Sequence, residues 1–521
     1  MRIIPFSMIR LSSAVIGVIF AAVSTHGEVK LPPLISSHMV LQRDMAVPVW
    51  GTAAPDEEVT VEFAGQKKSA HADGDGRWSV KLAAMPASAE PRTMTIRAGN
   101  TLTLDDVLVG EVWVGSGQSN MAGDTGRYAK NDPVLAEMLK ENHPLLRKFN
   151  SRGWEAANET TSARFSALLF SFGARLQKDL NVPVGLMVGA VGGTPSGFWL
   201  SPEAFAADEG CRQVIAKAAA SFSPEEAQKK YSQALANWEK ATAVAKQKGG
   251  TTLPHKPLEP SKPGECHGEI GHLYKTYIRP FIPYGIRGVL WDQGESGTAI
   301  EGVDQFTLMG ALIRGWRKEW GQGDFPFLYM QKPSGDGCAF DLSDPVTKNA
   351  EAFSLLPVTV PNDGQYRETH LRIREYPNTA MVTSSDLGHG VHPTNKSGYG
   401  ARAARVALGF VYGRNVESYG PVYRSHKIEG NKIRISFSHV GQGLVFRGGD
   451  KLQGFALAGD DKQYAWAEAV IDGNDVVVSS EKVPKPVAIR YAWSGRHPWA
   501  NLFNKDGLPA LPFRLEDGSE K

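Results

Sequence analysis

Residues 106–123 read DVLVGEVWVGSGQSNMAG, and no other stretch restricts the fold as tightly. Val107 to Val114 are mostly apolar and rich in valine, the pattern of a buried strand, and Gly115, Ser116 and Gly117 end it at a turn. Ser119 therefore stands on a glycine-rich turn just past a strand end. In an open parallel sheet, ligands bind in the crevice outside the carboxyl ends of the strands, so a hydroxyl here can attack a bound group. Taken alone, the same residues also describe a plain polar turn.

The strand-to-turn unit recurs. Helical segments are expected around Pro133 to Lys140 and Ser162 to Leu180, and VPVGLMVGAVGGTPSGFW then reads as a second buried strand ending in Gly189, Gly192 and Gly193. IRGVLWDQGES, from Ile286 to Ser296, is a third such unit, followed by the helix FTLMGALIRGWRKEW and the strand FPFLYMQ. TAMVTSS leads into a loop bearing Asp386, His389 and His392, and a further helix starts near Gly398. Alternating strands and helices predict an α/β fold with a parallel sheet flanked by helices.

GEVWVGSGQSNMAG resembles the nucleophile block of the sialate O-acetylesterase-like branch of the SGNH (GDSL-type) serine hydrolases. Met121 stands where the second glycine of G-x-S-x-G would be, which disfavours an α/β-hydrolase elbow. The resemblance covers nearly all of the chain after its first residues, and it implies an SGNH-hydrolase-like catalytic domain over 106–413. It makes Ser119 the nucleophile and an oxyanion donor through its N–H. Gly193, with Gly192 close behind, would offer a second backbone N–H from GGTPSGFWLSP, and Gln293 of Q-G-E a side-chain N–H. His392, in V-H-P-T-N-K, matches the family's catalytic histidine.

The chain departs from that pattern at the third triad member. Relatives carry an aspartate two or three residues before the histidine, where this sequence has Gly390 and His389. Asp386 is the nearest carboxylate, and a Ser-His dyad or help from Glu295 stays open. Glu295 could orient a neighbour or the substrate. Arg367 and His370, in YRETH, are candidates for substrate contact or for a structural role, with His370 standing where glutamine is common in the family. Residues from Gly335 to Glu375 read as a rim of loops.

On either side of this domain the pattern changes to short strands and turns. Residues 28–105 predict a small N-terminal β-sandwich, and LISSHMVLQRDMAVPVWG resembles the β-domain preceding the family's catalytic block. Residues 414–521 predict a C-terminal β-rich region. Trp50 and Trp78, and later Trp493, Trp499 and Phe503, could face a sugar, but packing is the commoner use of such aromatics. An insertion over about 203–265 carries an Ala-, Gln-, Glu- and Lys-rich helix from Glu225 to Lys248, which would be either a roof over the site or a solvated surface helix.

Composition narrows the partners. The 57 basic and 55 acidic residues leave a formal charge of +2, and no basic run is present to hold a phosphate backbone, so nucleic acid is not expected. Arg2 and Arg10 precede an apolar run from Leu11 to Val23, shorter than the roughly 20 residues that span a bilayer. Residues 1–27 are therefore expected to be a cleaved signal peptide, and the product to be secreted or periplasmic with no membrane span. Cys211, Cys266 and Cys338 allow at most one internal disulfide, for which Cys211–Cys266 is possible. With no HExxH and no paired CxxC, no metal or other cofactor is expected. The expected activity is removal of acetyl groups from a carbohydrate through an acetyl-serine intermediate. The alternatives are a deacetylase of xylan or another polysaccharide, and a non-catalytic carbohydrate-binding protein on a degenerate hydrolase scaffold. Sugar, acetylated position and oligomeric state are not legible.

Overall fold

The long strand β1, Thr101–Gly117, runs through the middle of the protein in a computed structural model that describes residues 28–247 and 256–516. The leader expected over 1–27 lies outside the described residues. The other strands of the central sheet are β2 (His143–Asn150), β3 (Gly153–Ala157), β4 (Val184–Ala190), β5 (Gly288–Asp292), β6 (Phe327–Met330) and β7 (Thr379–Val382). Their order is β7-β6-β5-β1-β4-β2-β3. Every neighbouring pair is parallel except β2 and β3, which close one edge as an antiparallel hairpin. The result is a mixed α/β fold with β-rich regions on both flanks.

Side chains alternate across this sheet, and each set meets a different layer. Trp113, Leu186, Leu290 and Leu328 face helices α1 (Ala167–Leu180) and α3 (Lys396–Phe410), packing with Phe170, Phe172, Tyr399 and Ala403. Val112, Val114, Met187, Val289, Trp291 and Phe327 face the other way, toward Leu312 and Trp316 of helix α2 (Gln305–Trp320). A sheet covered on both faces needs the nearly continuous apolar runs that mark these strands in the sequence. Helices α1 and α3 approach closely: a Cβ on Gly400 would lie 2.1 Å from Ser171 Oγ. That hydroxyl in turn donates to the Lys396 carbonyl at 2.8 Å, which fixes where α3 begins.

The boundary expected at 105/106 falls inside one continuous strand. The first part of β1 pairs antiparallel with Ser88–Arg97 and the last part pairs parallel with β4 and β5. Asp106, at φ +56°, marks the change, with Arg147 Nη1 donating to its carboxylate at 2.6 Å. Val40, Leu41, Val49 and Val61 share one apolar core with the central sheet. At the join, fully buried Glu111 pairs with Arg43 and, at 2.7 Å, with Arg287. Losing one partner there would strand a buried charge, which typically costs about 3–5 kcal/mol. The C-terminal region has its own core, including Ile433, Val476, Phe455 and Tyr491, between two four-stranded sheets.

The aromatic candidates for a sugar platform are mostly packed away. Trp78, Trp493, Trp499 and Phe503 are buried and Trp50 is half-buried. The helix expected over 225–248 is Pro224–Gln247, whose only buried residue is Thr242, the profile of a solvated surface helix. Cys211, Cys266 and Cys338 are free thiols, so the disulfide considered for Cys211 and Cys266 is not formed. Among the described residues no helix is long and apolar enough to cross a membrane.

Candidate active site

Strand register brings the distant turns together. Gly117, at the end of β1, lies opposite Ala190 of β4 on one side and Asp292 of β5 on the other. The turns that follow, at 118, 191 and 293, therefore leave the sheet at one level. The chain reaches β2 and β4 on one side of β1 before crossing to β5 on the other, so these turns bound a topological switch point, where α/β sheets open a crevice. The close approach depends on glycine: Gly117 has φ +125°, and a Cβ there would lie 2.1 Å from the Asp292 carbonyl oxygen.

Ser119 begins a single helical turn, Ser119–Ala122, so its N–H has no intrahelical acceptor. His392 arrives from the loop between β7 and α3, and its Nε2 stands 2.8 Å from Ser119 Oγ. Burial, then Lys396, lowers the affinity of the His392 ring for a proton, while Glu295 opposes the shift; the net direction is below the ordinary value. A histidine kept neutral can accept a proton from a hydroxyl. Gly192 is the glycine against Ser119, since a Cβ built on it would lie 3.5 Å from Ser119 Cβ. Gly193 takes φ +71° with open space around it, which suits glycine for conformation rather than for room.

Four of the expected site residues make other contacts or none. Gln293 Nε2 donates to the carbonyls of Gly297 at 3.1 Å and Thr194 at 3.3 Å, and its Oε1 accepts from Gln305 at 3.1 Å. Both amide hydrogens are thus engaged, and Gln293 ties the 194 turn to the 297 turn instead of presenting an N–H to an ester. Asp386 is fully buried in a bidentate pair with Arg402, at 3.1 and 2.8 Å, and makes no hydrogen bond to His392. A guanidinium buried in α3 requires a counter-charge, and Asp386 supplies it. Arg367 donates to the carbonyls of Pro333, Gly335, Ser494 and Gly495, joining the loop after β6 to the C-terminal region. His370 is buried with neither ring nitrogen partnered, and burial, with Lys332 and Arg367 nearby, pushes it down to about 3. Neither Arg367 nor His370 is open to a substrate. His389 is exposed and makes no hydrogen bond among the described residues.

Near Ser119 lies a charged cluster that sequence reading passed over except for Glu295. Lys332, fully buried, donates to Asp292 at 2.5 Å, Glu295 at 2.7 Å and Ser334 at 2.9 Å. Burial raises the Glu295 carboxyl, but Lys332 outweighs it and holds Glu295 below the usual range. Lys396 is also buried; burial, opposed first by Asp292, brings it down to about 7. Its Nζ donates to Asn120 Oδ1 at 2.7 Å and to the Pro393 carbonyl at 2.8 Å. Asn120 and Lys396 both stood in quoted motifs, QSNM and PTNK, so their closeness to Ser119 and His392 in sequence was the available signal.

Known proteins resemble the chain over most of their length. A family described as carbohydrate esterase, sialic acid-specific acetylesterase, matches residues 109–245. The chain is 25% identical to human sialate O-acetylesterase over 92% of its own length and 91% of the relative's. It is 24% identical to the rat sialate O-acetylesterase over 92% and 93%. Among solved structures, a carbohydrate acetylesterase from Xanthomonas citri superposes with a TM-score of 0.70 at 28% identity, covering 94% of this chain and 100% of that one. The serine turn and the glycine turn lie inside the matched family segment and the likeness runs through both flanks, so the chain is similar over most of its length to the sialate O-acetylesterase-like carbohydrate esterases and is an ester hydrolase.

Proposed function

We propose that the protein is an exported carbohydrate O-acetylesterase, with residues 106–413 as the catalytic unit and Ser119 and His392 as its working pair. The observation that carries this reading is the 2.8 Å contact between Ser119 Oγ and His392 Nε2 at the sheet's switch point. Ser119 Oγ bonds to the acetyl carbon while its proton passes to Nε2, and negative charge grows on the carbonyl oxygen. In this reading the N–H groups of Ser119 and of Gly193, or of Gly192 beside it, meet that charge, each such donor contributing about 3–4 kcal/mol in enzymes of this kind. The carbon–oxygen bond to the sugar then breaks, and His392 returns the proton to the departing hydroxyl. Water, deprotonated by the same ring, releases acetate from Ser119. General-base assistance of this kind is worth about 10²- to 10⁴-fold.

No carboxylate bonds the His392 ring among the described residues, so the pair works as a dyad with Glu295 acting through space. Ser119→Ala is expected to abolish acetate release from p-nitrophenyl acetate while leaving the unfolding transition in place. Full activity in that variant would reject the assignment. A panel of acetylated sialic acid, xylan and other glycans would identify the sugar. The missing ring carboxylate favours one rival, a non-catalytic carbohydrate-binding protein; glycan binding with no acetate release from any substrate would decide for it.

A further inference from the structure

The loop that carries His392 is exposed from His389 to His392, yet the ring is held within hydrogen-bond distance of the nucleophile. In a hydrolase triad an acid bonded to the far ring nitrogen supplies the orientation. Here the constraint enters through the backbone on both sides of the ring. Asn120, buried and next in sequence to Ser119, donates from Nδ2 to the Val391 carbonyl at 2.9 Å. Lys396 donates to the Pro393 carbonyl at 2.8 Å. The two side chains are joined to each other, Lys396 Nζ donating to Asn120 Oδ1 at 2.7 Å.

That joint sets the amide's orientation. A carbonyl can only accept, so the Asn120 NH2 must face Val391, which leaves its oxygen toward Lys396 Nζ, a group with hydrogens to donate whether or not it is charged. Nδ2 also reaches toward Glu295 Oε1, at a longer 3.4 Å. The Lys396 ammonium lies 4.5 Å from the Tyr128 ring centre and 4.9 Å from that of Tyr399, which restrict its position from the remaining sides. The carbonyls before and after His392 are thereby tied to a pair that is itself part of the nucleophile's turn. We infer that Asn120 and Lys396 are positioning residues, a clamp on the 391–393 backbone that sets His392 against Ser119 in place of a carboxylate bonded to the ring.

The clamp rests on the acetyl-serine reading, and the test separates the two. Asn120→Ala, Asn120→Asp and Lys396→Met would be compared with the unaltered chain by thermal unfolding, by kcat and KM on p-nitrophenyl acetate, and by the rate at which a serine-directed phosphonate labels Ser119. Loss of ring placement is expected to lower kcat about a hundredfold, with KM kept within about threefold and labelling slowed in parallel. Asn120→Asp keeps a partner for Lys396 but turns an oxygen toward the Val391 carbonyl, so it should be as slow as Asn120→Ala. If Lys396→Met does not fold, the two Asn120 variants decide. Folded Asn120 variants with full kcat, or with KM raised and kcat unchanged, overturn the clamp while leaving Ser119 as nucleophile. Failure of the unaltered chain to take the label at Ser119 would instead remove the reading beneath it.

Discussion

The two halves of the proposed active site are built by different means. Ser119 is placed by backbone: three parallel strands end in register, and the ladder continues past the sheet through the Gln118 N–H to the Asp292 carbonyl at 2.8 Å and the Val191 N–H to the Gly117 carbonyl at 3.1 Å. His392 is placed by side chains reaching into a loop. Backbone placement tolerates most changes of side chain except at glycines such as Gly117 and Gly288, where there is no room for one. Placement by side chains is open to disruption by single substitutions that leave the sheet untouched, so the histidine half is where function and stability should come apart.

Asp386 gives the largest contrast. It sits on the same β7-to-α3 connection as His392, but its charge serves Arg402. Asp386→Asn should lower unfolding stability by about 3–5 kcal/mol, the usual cost of breaking a buried pair. The folded fraction should keep kcat within about twofold, because no reacting atom loses a partner. Denaturant titration beside steady-state kinetics checks both halves. A hundredfold fall in kcat at unchanged stability would return Asp386 to the triad.

A smaller effect concerns pH. In the proposed mechanism His392 must be unprotonated to accept the Ser119 proton, so activity is expected to rise with pH through the His392 pKa. Burial disfavours the charged ring, Lys396, Arg127 and Lys332 disfavour it further, and Glu295 favours it. With the net shift downward, the rising limb of kcat/KM should have its midpoint below the ordinary histidine value of about 6.5. Glu295→Gln removes the one opposing charge and should move that limb lower still. Lys396→Met should move it up. A midpoint above 6.5 in the unaltered chain, or shifts of the opposite sign, would contradict this account of the ring's surroundings.

Much of the backbone half was legible in the sequence, because apolar runs and glycines record strands and their ends directly. Val184–Ala190, Gly288–Asp292 and Thr379–Val382 lie where strands were expected, and Ser119 and His392 stand in motifs beyond the ends of Thr101–Gly117 and Thr379–Val382. What a polar side chain bonds to was not legible. Gln293, Asp386 and Arg367 each occupy a position consistent with chemistry, but buried carbonyls or an opposite charge claim their hydrogen-bonding groups, and those partners lie far away in sequence or on another element. Lys332 gave even less warning: a lysine after a strand reads as a solvated end, and only the meeting of Asp292 and Glu295 around it explains its full burial. The helix Gln365–Arg372 was hidden in a stretch read as loops, since most of its residues are polar and its inward face is made by Arg367 and His370 rather than by an apolar stripe.

The central claim is that one hydroxyl and one imidazole, delivered by the two differently built halves, act as a single nucleophile-base pair. Mass spectrometry after treatment with a serine-directed phosphonate tests it most directly. The account predicts modification at Ser119 in the unaltered chain and its loss in His392→Ala; label on a different residue, or label at Ser119 that is unchanged without the imidazole, would contradict it.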